Sequence, residues 1–404
     1  MKGNGRYLLT LICCCLLAAS SVGIFTNSVG VFYSPVSGDL GVGRGAFALH
    51  ATLCALVMGF LCPLAAKLLK RFPFRPLLLS GAVLAAGSTA LMATAQNVWT
   101  FYVLGILRGI GMTMFSLMPV TTIINNWFRE KHGLAVGIAL SFSGIAGAVF
   151  SPLLSGLIQS LGWRNAFLWM AAFGFVLTIP GLLFLEFDPR RLHMDPYGGP
   201  APTHSVSGSG NGKLHLPTLA VLSLMTVLHT SVTGIAQHFP GMAEWLGWTA
   251  QVGAAMVSAG MIGNIVSKLM IGTLSDRIGP FKASMCMISV NAVALLGLLL
   301  LGSANPVLLY GAAFLYGAVY AVGAVGIPLL TRRLFGQENY ASAYSVITIF
   351  TSIGSASSLT IIGLIYDLTG GYSAALIIGL AIDAINTGIL LFLMHLARKR
   401  QALA

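Results

Sequence analysis

Apolar runs of about 20 residues or more follow one another almost end to end along this chain, separated by short polar stretches. A helix needs about 20 mostly apolar residues to cross the hydrocarbon core of a bilayer. The pattern therefore predicts twelve spans, at 7–30, 46–68, 75–95, 99–125, 133–158, 164–185, 216–237, 249–273, 281–302, 306–329, 340–366 and 372–396. The longest polar interruption, "EFDPRRLHMDPYGGPAPTHSVSGSGNGKLHL" from Glu186 to Leu216, is rich in Gly, Pro, Ser and charge and reads as a flexible linker. It divides the spans six and six, giving a first half at 1–185, a linker at 186–215 and a second half at 216–404.

The halves resemble each other. "SGLIQSLGWRNAF" from Ser155 and "IGLIYDLTGGYSAA" from Ile362 each leave a small-residue helix through Gly-Leu-Ile, turn, and enter the next span. Gly156 and Gly363 are 207 residues apart, about half the chain, as expected of a parallel repeat.

Composition agrees with the pattern. Of the 404 residues 56% are hydrophobic and only 8% charged, and the mean hydropathy is +0.87, which marks a multi-pass membrane protein of the cell membrane, the inner membrane in a bacterium. Lys2 and Arg6 before an apolar stretch ending in "AASS" imitate a secretory signal, but eleven further spans favour an uncleaved first helix. The net charge of +12 would suit nucleic acid if it were gathered in one patch. It is instead distributed by loop. With the N-terminus inside, 18 of the 22 Lys and Arg fall on the cytoplasmic side, two outside (Arg44, Arg164) and two within spans (Arg108, Lys268). That asymmetry records topology, puts both termini in the cytoplasm and excludes a nucleic-acid surface. All six cysteines lie in apolar runs without CxxC spacing, so neither a disulfide frame nor a metal site is expected. No HExxH, GxSxG or P-loop pattern occurs, and no cofactor or catalytic residue is expected.

Two loops and one helix carry a family resemblance. After span 8, "GTLSDRIGPFK" (Gly272 to Lys282) resembles the major facilitator loop pattern Gly-x-x-x-Asp-Arg-x-Gly-x-Lys, while its counterpart after span 2, "PLAAKLLKRFPFR", is degraded. Span 5 opens with "NNWFREKHGLAVGIALSFSGIAGAVFSPLL", which resembles the span 5 signature of the monocarboxylate transporter and oxalate:formate antiporter branch of that superfamily. With "SVGVFYSPVSGDLGVGRGAFAL" at spans 1–2, the resemblance covers essentially the whole chain. It implies an all-α membrane protein of twelve helices in two six-helix halves, working as a monomer. Secondary transport of a small organic anion, a monocarboxylate, by alternating access is implied with it. Efflux of amphipathic compounds and a non-transporting sensor are the rival readings.

The resemblance also singles out residues. In "SAGMIGNIVSKLMIGTLSDRIG" (258–279), Asn264 and Lys268 stand at i and i+4 on one helix face, where the family meets the substrate carboxylate. An intramembrane cation is costly, and a bound anion supplies its missing counter-charge; snorkelling of a long lysine toward the loop is the plainer alternative. Arg108 in "VLGILRGIGMTMF" lies too deep for an interfacial anchor and matches the arginine of the general span 4 motif. It is either a second anion contact or a structural arginine. Monocarboxylate carriers commonly place a small residue there. Oxalate carriers place a second cation in span 11, which here has no charge before Asp367, so oxalate itself is not expected. Tyr316 and Tyr320 in span 10, Phe115 in span 4 and Asn27 in span 1 occupy family cavity positions. For coupling and gating the candidates are Asp276 and Arg277 of the span 8–9 loop, His229 midway along span 7, and Asp383 in span 12. Many family members have Asp at the position of Asn264, so exchange of one anion for another and proton symport both remain open.

Overall fold

The computed structural model describes residues 4–128, 130, 132–199, 215–301 and 305–403. Lys2, Arg129, Lys131, Lys213 and linker residues 200–214, all used in reading the sequence, lie outside them. Among the described residues the chain is helical, and eleven helical stretches are long and apolar enough to cross a membrane. The longest, Ala135–Phe184, holds 50 residues, which as one rod would run about 75 Å, more than twice a hydrocarbon core. It is broken at Gly162, whose φ of 81° lies in the left-handed region that glycine alone adopts freely. The expected spans 5 and 6 are its two arms.

Four spans are interrupted, which their sequences do not announce. Span 1 passes from an α-helix (Asn4–Ala18) through a wide π turn (Ala19–Asn27) into a tight 3-10 turn (Val29–Phe32) before resuming at Tyr33–Leu40. Span 4 breaks between Val98–Thr113 and Leu117–Trp127. Span 7 breaks between Leu216–Thr230 and Phe239–Trp245, across the 3-10 segment Thr233–His238. Span 10 breaks after Pro306–Tyr316 and again winds through a π segment, Val322–Gly326. Such breaks free backbone carbonyls and amides, which a membrane protein tolerates where other helices satisfy them.

The chain divides into two units, Met1–Val42 with Ala46–Val206, and Gly43–Gly45 with Ser207–Ala404. In the first, spans 1 and 5 meet where Gly23 lies against Ala146 and the Ser143 carbonyl. Spans 2 and 4 meet where Gly105 and Gly109 lie against the backbone of His50 and Cys54. The second unit repeats both pairings. Spans 7 and 11 meet at Gly354 against Thr230 and Val227 and at Gly234 against Ser358, and spans 8 and 10 meet at Gly263 against Phe314 and Gly317 against Asn264. Thr230 follows Gly23 by 207 residues, so at one crossing the small residue has moved to the partner helix. Close approach of this kind replaces the hydrophobic effect as the source of cohesion between helices in lipid.

The linker differs from its composition. Residues 186–199 pack on the first unit. Asp188 caps the turn Pro189–Leu192, Arg75 pairs with Glu186 at 2.9 Å, and the Trp127 indole donates to the Glu186 carbonyl at 2.8 Å. Tyr197 and Glu130 extend this docking through backbone bonds, Tyr197 N–H to Trp127 C=O and Glu130 N–H to Tyr197 C=O, and the Tyr7 ring packs edge-on to Trp127, Phe128 and Tyr197. Gly, Pro and Ser signal flexibility only where nothing else holds the backbone.

Candidate functional site

In the second unit spans 7, 8 and 10 converge on the candidate residues. Span 8 is an unbroken helix, Ala250–Ile278. Lys268 sits ten residues from its end, about 15 Å along the axis, and is half-buried. The ion pairs among the described residues are Arg44–Glu244, Arg75–Glu186 and Arg164–Asp39, so Lys268 has no carboxylate partner there. One turn earlier Asn264 is buried. Its amide nitrogen reaches only the Met261 sulfur at 4.0 Å, and its Oδ1 has no partner. The side-chain-free Gly317 brings span 10 against the Asn264 backbone.

Tyr316 and Tyr320 stand edge to face, ring centroids 6.3 Å apart. Their hydroxyls donate into the break of span 7, to the carbonyls of Val232 and Thr233 respectively. In this state neither donates toward Asn264 or Lys268; each adds a bond to a carbonyl of the interrupted segment, and Val232 C=O also accepts from the Ile235 N–H. His229 is fully buried and its Nε2 lies 2.9 Å from the Val319 carbonyl, a core histidine joining spans 7 and 10. Asp383 is buried in span 12 and accepts from the Asn291 amide of span 9 at 2.8 Å. Asp276 and Arg277 are exposed at the end of span 8, with no ion pair among the described residues.

In the first unit Arg108 is 1% exposed, its Nη1 4.0 Å from the Met92 sulfur and its Nε unpartnered. Its neighbours in the helix, Gly105 and Gly109, lie against span 2 at His50 and Cys54. Phe115 is fully buried in the break of span 4. Asn27 donates from Nδ2 to the Ser143 carbonyl of span 5 at 3.2 Å, beside the Gly23 crossing.

Two features escaped the sequence reading. His50, buried against Gly105 of span 4 with Nε2 unpartnered, stands alone in the apolar run "FALHATL", and that loneliness was its signal. The other is a clasp in the second unit around Arg44. Its guanidinium donates to the Tyr372 hydroxyl at 2.9 Å, pairs with Glu244 at 3.4 Å and lies 4.2 Å over the Tyr366 ring. The carboxylate of Asp367 accepts from the backbone N–H of Arg44 and of Gly45 at 2.9 and 2.8 Å.

Comparison with known proteins bears on the family and the fold. A family model described as Major Facilitator Superfamily matches residues 14–358 and again 219–403. Monocarboxylate transporter 13 of Rattus norvegicus is 25% identical over 373 residues, 91% of this chain and 85% of that protein. Monocarboxylate transporter 11 of Mus musculus is 26% identical over 330 residues, 78% and 71% of the two chains. Among solved structures, the nucleoside transporter NupG superposes with a TM-score of 0.74 at 11% identity, covering 96% of this chain and 99% of its own. A bacterial homologue of the human lysosomal transporter Spinster, inward-facing and occupied, gives 0.68 at 16% identity, with 99% and 98% covered. These structural likenesses bear on the fold alone.

Proposed function

The chain belongs to the Major Facilitator Superfamily, with relatives among the monocarboxylate transporters, and from that premise we propose that it carries a small monocarboxylate across the membrane by alternating access. In this reading twelve spans cross with both termini cytoplasmic, and the monomer is the working unit. The observation that carries it is Lys268, a half-buried cation ten residues inside the end of span 8 with no carboxylate beside it among the described residues, following by one turn an Asn264 whose Oδ1 has no partner there and whose Nδ2 reaches only the Met261 sulfur. A buried cation without a partner is costly. A substrate carboxylate meets that cost by accepting from the ammonium and from the Asn264 amide, and charge-assisted bonds of this sort are about twice as strong as neutral ones.

One cation with neutral donors also lets the anion leave again, as a carrier requires. Arg108 in the first unit is a second candidate for an anion contact, its Nε without a partner among the described residues. Tyr316 and Tyr320 hold the break of span 7 in shape, with Phe115 and Asn27 doing the same for spans 4 and 1. Asp276 and Arg277 lie where a cytoplasmic gate would close. His229 and Asp383 are the candidates for a proton, and a counter-anion is the other driving partner.

The deciding experiment is uptake of radiolabelled formate, acetate, lactate, pyruvate and oxalate into proteoliposomes, wild type against Lys268→Ala, under an imposed pH gradient or with internal anion. Accumulation of one monocarboxylate that the variant abolishes establishes the reading, and the driving condition separates symport from exchange. If the variant transports equally well, Lys268 is a snorkelling residue and the anion assignment falls.

A further inference from the structure

At one end of the second unit the helix termini enclose a cavity of about 340 Å³ whose lining includes Gly279, Phe281, Lys282, Arg333, Met394 and Ala397. Among the described residues, both charged members of the lining are cations. Neither takes part in an ion pair among the described residues, and Asp276, the acid nearest to Lys282 in sequence, is not part of the wall. We propose that this cavity holds the phosphate-bearing headgroup of an anionic glycerophospholipid.

Its place in the fold favours a lipid over a soluble ion. The cavity lies where span 8 ends at Ile278, span 9 begins at Pro280 and span 12 reaches its last turns at Met394 and Ala397, the depth at which a headgroup resides. Its wall is divided accordingly. Phe281, Met394 and Ala397 give an apolar surface suited to the glycerol and first methylenes, while Lys282 and Arg333 meet the phosphate. Arg supplies a planar fork and Lys a mobile point charge, the pairing that suits a tetrahedral anion. Basic pockets between helices on the cytoplasmic side of membrane proteins bind such headgroups. Span 9 also begins here, at Pro280, so the positive end of that helix dipole lies at the cavity. A charge bias that only orients the protein in the bilayer places cations along the loops; it does not require two of them, 51 positions apart at the ends of consecutive spans, to share one cavity.

The test uses the full chain purified in detergent, titrated with dioleoyl phosphatidylglycerol, dioleoyl phosphatidylcholine or inorganic phosphate. Retention is read by native mass spectrometry and thermal stability by melting. Phosphatidylglycerol is expected to be retained and to raise the melting temperature. The Lys282→Gln/Arg333→Gln pair should weaken retention by about 25-fold, taking a factor of about five per cation near the surface, whereas Arg190→Gln/Arg191→Gln should leave it unchanged. Met394→Glu keeps both cations but sets a carboxylate in the wall, and should weaken retention as well. Equal retention by the two double variants, or equal retention of phosphatidylcholine, overturns the proposal. Stabilisation by inorganic phosphate matching that by phosphatidylglycerol overturns the lipid assignment.

Discussion

Asp383 accepts a hydrogen bond from the side-chain amide of Asn291 at 2.8 Å, joining spans 9 and 12 inside the second unit where both residues are almost wholly buried. The second oxygen of Asp383 and the amide oxygen of Asn291 have no partner among the described residues. Asn386, one turn after Asp383 and fully buried, has neither of its amide atoms bonded. The helix pair is therefore held by one bond within a polar patch that has more acceptors than donors.

Removing the donor should cost more than neutralising the acceptor. Asn291→Leu leaves a carboxyl with no protein partner and is expected to destabilise the protein by about 1.5 kcal/mol, near the upper end of interhelical bonds measured in membranes. Asp383→Asn retains a hydrogen-bonded pair and should cost clearly less. Melting curves of both variants in detergent decide it, and equal losses would show that the bond is not what joins the spans.

Asn264→Asp places a carboxylate one helical turn before Lys268. The new pair should compete with the substrate, raising KM for the carboxylate at neutral pH. Acid protonates the introduced group and frees the lysine, so the ratio of variant to wild-type uptake should rise as pH falls. Initial rates across pH 5 to 8 test the sign, and an unchanged KM would mean that the two positions do not share the substrate.

Gly263 and Gly272 are both helical glycines of span 8, yet their surroundings differ. A methyl group at Gly263 would run into the carbonyl of Phe314, whereas at Gly272 it meets nothing within 4 Å. Gly263→Ala should therefore cost about 3 kcal/mol, since backbone cannot step aside as a side chain can. Gly272→Ala should be neutral or stabilising by up to about 1 kcal/mol. Thermal stability measured side by side checks both.

Asp367→Ala removes the acceptor for two N–H groups at the start of the helix Arg44–Arg71, an effect like the loss of a helix cap, about 1 kcal/mol. Hydrogen exchange at Arg44 and Gly45 should quicken several-fold while Phe101 and its neighbours in span 4 stay protected. Unchanged exchange would show that the carboxylate does not hold these amides in solution.

The succession of membrane-crossing helices was legible in the sequence because each apolar run contrasts with the polar residues beside it. The breaks in spans 1, 4, 7 and 10 were not, because they depend on distant groups. At the break of span 7 the Val232 and Thr233 carbonyls accept from Tyr316 and Tyr320, 84 and 87 positions away. Gly234 N–H donates to Ser358, 124 positions away. The clasp is more remote still, with Asp367 separated from Arg44 by 323 positions. Docking of residues 186–199 was hidden for the opposite reason, since its Pro, Gly and Asp signal a loop and leave unsaid what the loop rests on.

The crossing of spans 8 and 10 bears on how this protein's preference for a substrate is able to change over evolutionary time. Where Gly263 and Gly317 let two backbones touch, neither helix has room to shift toward the other, and any side chain added at the contact is selected against. The framework that carries Lys268 and Asn264 is in that sense already fixed. New specificities have to arise through replacement of side chains around these two residues, one position at a time, upon a scaffold that does not follow.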